Sequence, residues 1–485
     1  MKLPNKLELE AELAARDFHF FFRRFAWPVL LPGVTFNDSW HIHAICEHLA
    51  ACESRQIKKL IINLPFRLLK STLISQAFPA WVWVRNSSQQ LLTASYARDL
   101  AIRDAVNSRR IIESEEYRRA WGHLFSISTD QNVKSRVDNT RGGTRVITST
   151  DGQGTGFGGN VRIVDDPISA GDANSALAIQ TSIEWWRGTM ATRGNDPETD
   201  VAIVVQQRLN EQDLSGFLLK EEKGWEHLVL PMRYEKAYTK TTQLGFKDPR
   251  TQEGQLLHPE RLGEEKVKEL EQSLGSFHTA AQLQQRPARR GGVIIHGEWF
   301  KRYKILPKIE YRRIYADTAQ KTKERNDFSV FECWGYAEGH IYLLDLIRGK
   351  WEAPELKKRA IAFWAKHKAE DPLFVGALRQ MKIEDKSSGT GLIQDIQNTG
   401  GIPVEAIQRS VDKYTRVLDG LAYVEAGLVH LPEEAPWVND FITENESFSA
   451  NDSHDHDDQI DPEFDAIKDM LGGPDIMSVW AKLSK

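Results

Sequence analysis

The sequence predicts an α/β fold with two sheet-based domains, and three observations support this prediction. The apolar run 60–64 leads into a turn that carries Lys70 and two hydroxyl side chains, as a strand, a phosphate-binding loop and a helix start would do. A β-branched run ends in Asp165 and Asp166, which is typical of a strand with acids at its carboxyl end. Further acids follow apolar runs in the last third of the chain. We therefore expect a P-loop domain and a second α/β domain.

The predicted phosphate loop departs from the usual Gly-x-x-x-x-Gly-Lys-Ser/Thr pattern, because Leu64 and Leu69 stand at the two glycine positions. A leucine in a left-handed conformation would cost about 1–3 kcal/mol, so we expect a reshaped loop that Pro65 stiffens. The residues expected to bind a nucleotide are Arg67, Leu68, Leu69, Lys70, Ser71, Thr72, Asp165 and Gln207. Taken alone, this segment favours a different interpretation, a buried strand that leads into a helix with Ser71 or Thr72 near its N-cap.

The two acids at Asp165 and Asp166 resemble the end of a Walker B strand. We expect Asp165 to hold Mg²⁺ and Asp166 to polarise the attacking water. An Asp-Asp-Pro segment is also an ordinary turn start, so the pair gains weight only together with Lys70. The strand predicted at 201–208 carries Gln207 to the same edge of the sheet, where it would sense the γ-phosphate.

Length and composition limit the number of domains, the kind of DNA contact and the compartment that we expect. The chain has 485 residues, which corresponds to about three domains. Its net charge of −5 argues against a generally basic nucleic-acid coat, so any DNA contact must come from local patches. Three cysteines make no disulfide framework and indicate a reducing compartment. We expect neither a signal peptide nor a membrane span.

The N-terminal region reads as helices with aromatic and histidine-rich faces. A helical arm is predicted at 5–25, closed by Trp27 and Pro28. The next helix, at 40–51, carries three histidines and a cysteine, and a second cysteine follows; they are His41, His43, Cys46, His48 and Cys52. A zinc site is conceivable, but the spacing matches no common ligand pattern, so hydrogen-bonded or exposed histidines are the favoured interpretation.

Strands and helices then alternate, which favours a parallel sheet. Strands are predicted at 90–96 and 145–150, with a charged helix at 97–113 between them. The glycine-rich segment 151–159 could be a second phosphate loop, but it lacks a following lysine and leads into a strand. A mobile loop near a nucleotide or DNA is therefore the favoured interpretation.

Three separated carboxylate elements define the predicted second domain. Asp317 ends a strand that starts a hairpin of RNase H type, and Glu384 lies at another strand end. A dense acidic cluster at 454–461 stands at a helix start. Two-metal phosphodiester cleavage needs hard oxygen ligands from several elements, and this spacing supplies them. Because acids at strand ends and helix starts are common, the combination carries the inference rather than any one residue.

Several segments resemble the large terminase subunits of tailed bacteriophages, which package double-stranded DNA into capsids. They are Pro65–Ser71, Thr93–Tyr96, Val164–Pro167, Gln207–Leu209, Asp213–Gly216 and Gln284–Pro287. Phe66 is a departure, because a proline is common there in this family. The resemblance runs nearly from end to end. It implies an ASCE-type P-loop ATPase domain with a parallel sheet, followed by an RNase H-like nuclease domain.

The resemblance also implies a domain order and site roles. It gives a helical arm and adenine-side segment at 1–55, the ATPase domain at 56–235, a lid and linker at 236–300 and the nuclease domain at 301–485. Arg67 would act as an arginine finger in cis, for which a structural ion pair is the alternative. The implied catalytic residues are Arg67, Asp166, Asp317, Glu384 and Asp457.

The nuclease pattern of the family maps onto Asp317, onto Glu384 with Gly389, and onto the cluster from His456 to Asp461. The predicted metal ligands are Ser71 and Asp165 in the ATPase domain, and Asp317, Glu384, Asp457, Asp458 and Asp461 in the nuclease domain. The choice between Asp457 and Asp458 stays open, with Asp457 favoured. We expect Asp317 to be shared by two ions. The implied cofactors are ATP with Mg²⁺, and two Mg²⁺ or Mn²⁺ ions at the nuclease site.

The implied partners are double-stranded DNA, a portal protein, a small terminase subunit and further copies of the chain in a pentameric ring. The expected location is the host bacterial cytoplasm, transiently the portal vertex of the procapsid, and not the mature virion. Arg286, Arg289 and Arg290 form a basic patch that could contact DNA phosphates. Exposed linker arginines are also common without such a role.

Two other functions remain to be weighed. A cellular DNA-repair helicase and nuclease should contain a second RecA-like domain and helicase motifs, and 236–300 offers no convincing candidate. A structural or regulatory subunit with degenerate sites would not be expected to retain Lys70, Asp165, Glu384 and the terminal acids together.

Overall fold

The computed structural model describes residues 5–128, 133–150, 152, 156–287, 294–318, 328–386, 388–409, 411–449 and 457–472. The chain divides into two compact units, residues 1–271 with 277–288, and residues 272–276 with 289–485. Each unit is built on its own seven-stranded sheet. The four-part division into arm, ATPase domain, lid and nuclease domain stays a prediction.

The sheet of the first unit is parallel apart from one edge strand. Its strands are β1 (Lys59–Asn63), β2 (Gln90–Ser95), β3 (Arg136–Asp138), β4 (Thr144–Ser149), β5 (Val161–Asp165), β6 (Val201–Gln206) and β7 (Glu226–Val229). Their order is β3-β4-β2-β5-β6-β1-β7, and β3 pairs with β4 in the antiparallel sense. The central strands are buried apolar runs, as expected for a sheet covered on both faces.

The described residues of this part of the chain form ten α-helices. They are α1 (Lys6–Arg16), α2 (Phe18–Phe21), α3 (Trp27–Leu30), α4 (Trp40–Glu53), α5 (Phe78–Arg85), α6 (Arg98–Glu113), α7 (Glu115–Trp121), α8 (Ala176–Trp185), α9 (Leu214–Glu221) and α10 (Glu264–His278). Shorter π-helical segments continue or precede them at Phe22–Ala26, Thr72–Ala77, Trp186–Met190 and Thr279–Leu283, and a 3₁₀ turn lies at Lys236–Tyr238.

The N-terminal arm folds as its local sequence demands. Asn5 and Glu8 form a reciprocal capping box at the start of α1, and Asp17 accepts the backbone N–H of Phe20 to start α2. The predicted end at Trp27 and Pro28 is wrong. These residues open α3, because proline in a first helical turn loses no needed hydrogen bond.

The sheet of the second unit combines an antiparallel centre with parallel flanks. Its strands are β8 (Lys301–Tyr303), β9 (Tyr311–Asp317), β10 (Ser329–Ala337), β11 (His340–Gly349), β12 (Ala377–Glu384), β13 (Val404–Ile407) and β14 (Val429–Pro432). Their order is β13-β12-β9-β10-β11-β14-β8. β10 runs antiparallel to β9 and β11, whereas β12 runs parallel to β9 and β13.

Helices cover both faces of this sheet. They are α11 (Ala353–Lys368), α12 (Pro372–Val375), α13 (Ser388–Thr399), α14 (Lys413–Glu425), α15 (Val438–Ser447) and α16 (Ile460–Met470), with a 3₁₀ turn at Gly297–Trp299. α11 and α13 share one apolar core with β9, β10 and β12. α16 packs against β9, β10 and α14. Among the described helices, none is long and apolar enough to cross a membrane.

Gly389 explains how β12 can turn directly into α13. A Cβ atom at this position would lie 2.0 Å from the backbone oxygen of Glu384, the last residue of the strand. Gly391, in the same helix, has no heavy atom within 4 Å of a Cβ position. The close approach of strand end and helix start therefore depends on Gly389 and not on Gly391.

Gly389→Ala should lower the free energy of unfolding by about 1–3 kcal/mol, because the added carbon forces backbone to move. Urea unfolding followed by circular dichroism measures this change. Gly391→Ala is the matched control and should be neutral or slightly stabilising. Equal stability of the two variants would contradict the steric account.

The burial of His41 leads to a second prediction, which concerns the pH dependence of the free energy of unfolding. It is fully buried in α4, and burial, followed by the nearby His258, lowers its pKa from 6.5 to about 3. Between these values the unfolded chain binds a proton that the folded chain does not, so stability falls as the pH drops below about 6.5. At about pH 5 the loss from this residue should be roughly 2 kcal/mol relative to pH 7.

His41→Gln should flatten this dependence because the titrating group is gone. The test compares urea unfolding at the two pH values. His123→Gln, a change at an exposed histidine, is the control and should leave the slope as it is. An unchanged slope for His41→Gln would contradict the prediction.

Candidate active sites

The carboxyl ends of β1, β5 and β6 lie side by side in the first unit. Asn63 pairs with Gln206, and Asp165 pairs with Val205, so the three strands end at the same level. Asn63 is fixed there because its Nδ2 donates to the backbone oxygen of Gln206 at 3.0 Å. The loop after β1 and the acids after β5 therefore meet at one edge, as parallel topology requires.

The predicted phosphate loop contains left-handed residues although it has no glycine. Arg67 has φ +63° and Leu69 has φ +67°, so the expectation that the loop avoids a left-handed leucine is wrong. Leu68 and Leu69 are buried, with 0% and 6% of their surfaces exposed, and this apolar packing offsets a strain of about 1–3 kcal/mol. The loop is also braced from outside, since Arg261 Nε donates to the backbone oxygen of Arg67 at 2.6 Å.

Lys70 forms an ion pair with Asp166. Both carboxylate oxygens of Asp166 accept from its ammonium group. The backbone of Asp166 extends the sheet beyond β5, donating to Val205 and accepting from Tyr96, each at 2.9 Å. The predicted lysine and the second predicted acid are thus brought together.

Asp165 is held by Ser75, a residue that was not predicted from the sequence. Its Oδ2 accepts the hydroxyl of Ser75 at 2.6 Å, and its buried Oδ1 has no hydrogen-bond partner among the described residues. Burial, followed by the neighbouring charge of Asp166, raises the pKa of Asp165 to about 7. A buried carboxylate with an unpartnered oxygen suits a cation, so this position fits Mg²⁺.

The remaining predicted nucleotide residues lie around this centre. Ser71 and Thr72 open the π-helical segment after Lys70, and it is Ser75, four residues beyond Ser71, that contacts Asp165. The i to i+4 spacing of the two serines was the available signal, because it puts them on one helical face. Gln207 follows the end of β6, and its buried Oε1 has no partner among the described residues.

The second centre forms where β9 and β12 end next to each other. Because Ile383 pairs with Ala316, the following residues Glu384 and Asp317 stand on neighbouring parallel strands. α16 packs against β9 and brings Asp461 to the same place. The predicted ligands from three distant stretches of sequence therefore converge.

The guanidinium of Arg409 lies among these three carboxylates. Its Nη1 is 2.9 Å from Glu384 Oε2, 3.4 Å from Asp461 Oδ2 and 3.7 Å from Asp317 Oδ2. Arg409 was not predicted from the sequence, because an arginine just after a short strand carries no signal of its own. Its position shows that this centre selects positive charge.

The choice between Asp457 and Asp458 is clearer in the structure. Lys413 Nζ contacts Asp457 Oδ2 at 2.8 Å and Asp461 Oδ2 at 3.0 Å, so these two acids share one cation. Asp458 approaches Arg348 instead, at 3.7 Å. Burial, followed by Glu444, raises the pKa of Asp458 to about 6. This geometry favours Asp457 over Asp458 as the neighbour of Asp461. Asp461 contacts the side chains of both Arg409 and Lys413, whereas Asp317 contacts that of Arg409.

The charges of this centre are strongly coupled. Burial, followed by Asp461, raises the pKa of Asp317 to about 8. Burial acts in the same sense on Asp461, but Lys413, Arg409 and Arg416 outweigh it and lower its pKa. Asp461 is buried, Asp317, Glu384 and Asp457 are partly buried, and together they form a hard-oxygen donor set, which fits Mg²⁺ or Mn²⁺.

The N-terminal histidines form a different arrangement. His41, His48, Cys46 and Cys52 are buried in α4, whereas His43 is exposed. His19 and His43 each lie 3.0 Å from a different oxygen of Asp38, with their rings stacked at 3.7 Å and 23°. One potential ligand atom from each of His19, Asp38 and His43 lies within 4.8 Å of the others, which is close enough for a metal ion, but exposed groups of this kind are common without one.

Two predicted features fall partly outside the described residues. Arg289 and Arg290 of the basic patch lie there, as do positions 151 and 153–155 of the glycine-rich segment. Arg286 is described, pairs with Glu235 at 3.1 Å and lies over the ring of Tyr238 at 3.8 Å.

Comparison with known proteins agrees with the two-domain fold. Residues 314–469 match the family model of the terminase RNase H-like domain. A large terminase from a thermophilic bacteriophage is similar at a TM-score of 0.53 and 10% identity, over 88% of this chain and 98% of that chain. A structure of the same terminase with ATP-γ-S gives a TM-score of 0.51 and 11% identity, over 88% and 99%. No curated protein sequence matches the chain.

At these identities the structural likeness shows the fold. The residues that match the family model include Asp317 and Glu384, at the ends of β9 and β12, and Asp461 on α16. The resemblance to large terminase subunits is thus confirmed: the two α/β units have the fold of a large terminase structure, and residues 314–469 match the terminase RNase H-like family.

Proposed function

We propose that this chain is a packaging motor that uses ATP to translocate double-stranded DNA into procapsids and cuts concatemeric genomes with divalent metal ions. One observation carries the proposal. Each sheet gathers acids at the carboxyl ends of its parallel strands and sets a cation of the chain among them, Lys70 with Asp166 and Arg409 with Asp317, Glu384 and Asp461. Both arrangements suit the cleavage of phosphate bonds, because acids can hold metal ions and a cation can compensate phosphate charge. The likeness to a terminase structure that contains ATP-γ-S supports nucleotide use.

Lys70 and Asp166 exchange partners when ATP binds. The γ-phosphate competes with Asp166 for the ammonium of Lys70, and this frees the Asp166 carboxylate to polarise water. Asp165, steadied by Ser75, keeps its second oxygen for Mg²⁺, which Ser71 or Thr72 would help to hold and which would neutralise phosphate charge.

The other loop residues position the phosphates. Backbone N–H groups of Leu68 and Leu69 cradle them, and the left-handed Arg67 and Leu69 set the curvature of the loop. Arg67 stabilises charge that develops on the γ-phosphoryl group. Gln207, at the end of β6, senses that group.

In the second unit, Asp317, Glu384, Asp457 and Asp461 hold the ions of the nuclease, with Asp458 as the remaining predicted ligand. Two Mg²⁺ or Mn²⁺ ions would activate the attacking water and stabilise the leaving oxygen. The chain itself contributes the rigid strand ends that fix the carboxylates and the cations that compensate them. Neutralising a carboxylate at a strand end should therefore disable cleavage.

The proposal includes the assembly in which the motor works. Copies of the chain form a pentameric ring on the portal of a procapsid in the host cytoplasm, and a small subunit selects the DNA. DNA contact should be tolerant of sequence and sensitive to salt, because a motor must grip any duplex through its phosphates.

Lys70→Ala should abolish ATP hydrolysis, because the described residues around the loop offer no second lysine to place between the β- and γ-phosphates. Asp166→Asn should lower turnover by about 10²-fold or more, since an amide cannot act as a base. It should bind a fluorescent ATP analogue at least as tightly as the wild type, because Lys70 is released.

Lys58→Ala, at an exposed lysine before β1, is the matched control and should hydrolyse ATP normally. Near-normal turnover by Lys70→Ala would exclude the phosphate-loop assignment. Loss of nucleotide binding by Asp166→Asn would contradict its role as a base.

Asp317→Asn and Glu384→Gln should each stop plasmid cleavage in Mg²⁺ or Mn²⁺ while ATP hydrolysis persists. Each change removes a charge that holds an ion, and the ATPase residues belong to another sheet. Conversely, Lys70→Ala should still nick plasmid in isolated protein.

Glu405→Gln is the control for Glu384→Gln. Glu405 lies on the neighbouring strand β13, is more than half exposed and pairs with Lys382, so its change should leave cleavage intact. Full cleavage by both Asp317→Asn and Glu384→Gln would falsify the nuclease assignment. Thermal melts exclude misfolding as the reason for a loss.

A further inference from the structure

Arg409 is built into the acidic centre of the second unit rather than lying on its surface. It follows the short strand β13, and only 6% of its side chain is exposed. Besides the three contacts of Nη1, its Nε and Nη2 lie 3.2 and 2.7 Å from Asp465 Oδ2. Asp465 is one helical turn beyond Asp461 on α16, and it is not among the predicted metal ligands. One edge of the guanidinium is thus anchored, and Nη1 projects among the ligands.

Two further cations of the same segment surround Asp461. Lys413 contacts its Oδ2, and Arg416 pairs with its Oδ1. Arg416 has no ion pair with Asp317 or Glu384 among the described residues, and its Nη1 donates to the backbone oxygen of Val411 at 2.6 Å. Arg409 therefore differs from Arg416 in reaching all three carboxylates that end β9, end β12 and begin α16.

A guanidinium nitrogen and a metal ion cannot share this position. Mg²⁺ binds carboxylate oxygens at about 2.0–2.1 Å, and an ion bound to Asp317, Glu384 and Asp461 would take the space that Nη1 fills. Two positive charges within a few ångströms in a buried site would also repel each other strongly. One of them must leave.

We propose that Arg409 is an internal competitor of the divalent ion: its guanidinium compensates Asp317, Glu384 and Asp461 until an ion displaces it. This inference rests on the proposed nuclease function, because it assumes that these carboxylates bind the ion. Asp465 gives the displaced side chain a partner that it can keep. The competition weakens ion binding and keeps the acids from repelling one another when no ion is bound.

The test is the affinity for Mn²⁺, measured by isothermal titration calorimetry without nucleotide or DNA. Asp317→Asn identifies the heat that belongs to this centre, because it should remove that heat. Arg409→Gln should bind Mn²⁺ about tenfold more tightly than the wild type, since the competing charge is gone. Arg416→Gln removes the same charge from the same cluster but leaves Arg409 Nη1 among the three carboxylates, so it should change the affinity much less than Arg409→Gln does.

A second measurement keeps the test independent of one variant. Arg409→Gln should melt below the wild type without divalent ions and gain more thermal stability from Mn²⁺. If Arg409→Gln does not fold, Arg409→Lys takes its place. It keeps a charge but loses the forked contact with Asp465, and it should bind Mn²⁺ a few-fold more tightly.

The possible outcomes distinguish failure of the proposed role of Arg409 from failure of the proposed nuclease metal site. Wild-type binding that Asp317→Asn removes, together with unchanged or weaker affinity in Arg409→Gln, would overturn the inference and leave the metal site in place. Equal gains in Arg409→Gln and Arg416→Gln would also overturn it, because general electrostatics would then suffice. If neither the wild type nor Arg409→Gln shows binding that depends on Asp317, both the inference and the proposed metal site fall.

Discussion

Repulsion between carboxylates that the fold forces together is the constraint on which both centres depend. Parallel strands end at one edge, so acids at their carboxyl ends approach each other whatever the rest of the chain does. Asp166 follows Asp165 at the end of β5, and Asp461 joins Asp317 and Glu384 at the ends of β9 and β12. Burial raises the pKa of Asp165 and of Asp317. In each unit a cationic side chain compensates these acids, Lys70 in the first unit and Arg409 in the second. The proposed reactions need the positions of Lys70 and Arg409 for substrate phosphates and for metal ions. Contacts that stabilise the fold therefore compete with contacts that the reactions need.

This competition links local geometry to the proposed activities. Under the proposed function, a phosphate of ATP would take Lys70 from Asp166, so nucleotide binding and the release of Asp166 would be one event. In the second unit, Arg409 gives way only to another cation. Ser75 and Asp465 play similar roles. Ser75 holds Asp165 and Asp465 holds Arg409, and each contact can persist while the partners in the centre change. Neither was needed to recognise the site, yet both explain its behaviour.

The sequence predicted the acids better than their partners. Asp165, Asp317 and Glu384 end apolar strands, and the parallel pairing that unites them follows from strand and helix alternation. The left-handed Leu69 was not predictable, because its strain is offset by burial in the folded chain. Arg409 and Asp465 were missed because a lone arginine after a strand and one more acid on a helix carry no spacing signal. The antiparallel edge strand β3 is three residues long and has no periodicity to detect.

Anomalous scattering from crystals soaked in Mn²⁺ tests the central claim most directly, namely that Asp317, Glu384 and Asp461 form one cation-binding centre occupied by exchange with Arg409. The account predicts a peak about 2.2 Å from oxygens of these carboxylates, with the Arg409 Nη1 atom moved away from it. A peak at the centre with Arg409 still in place, or peaks confined to other acids such as Asp458 or Asp38, would contradict it.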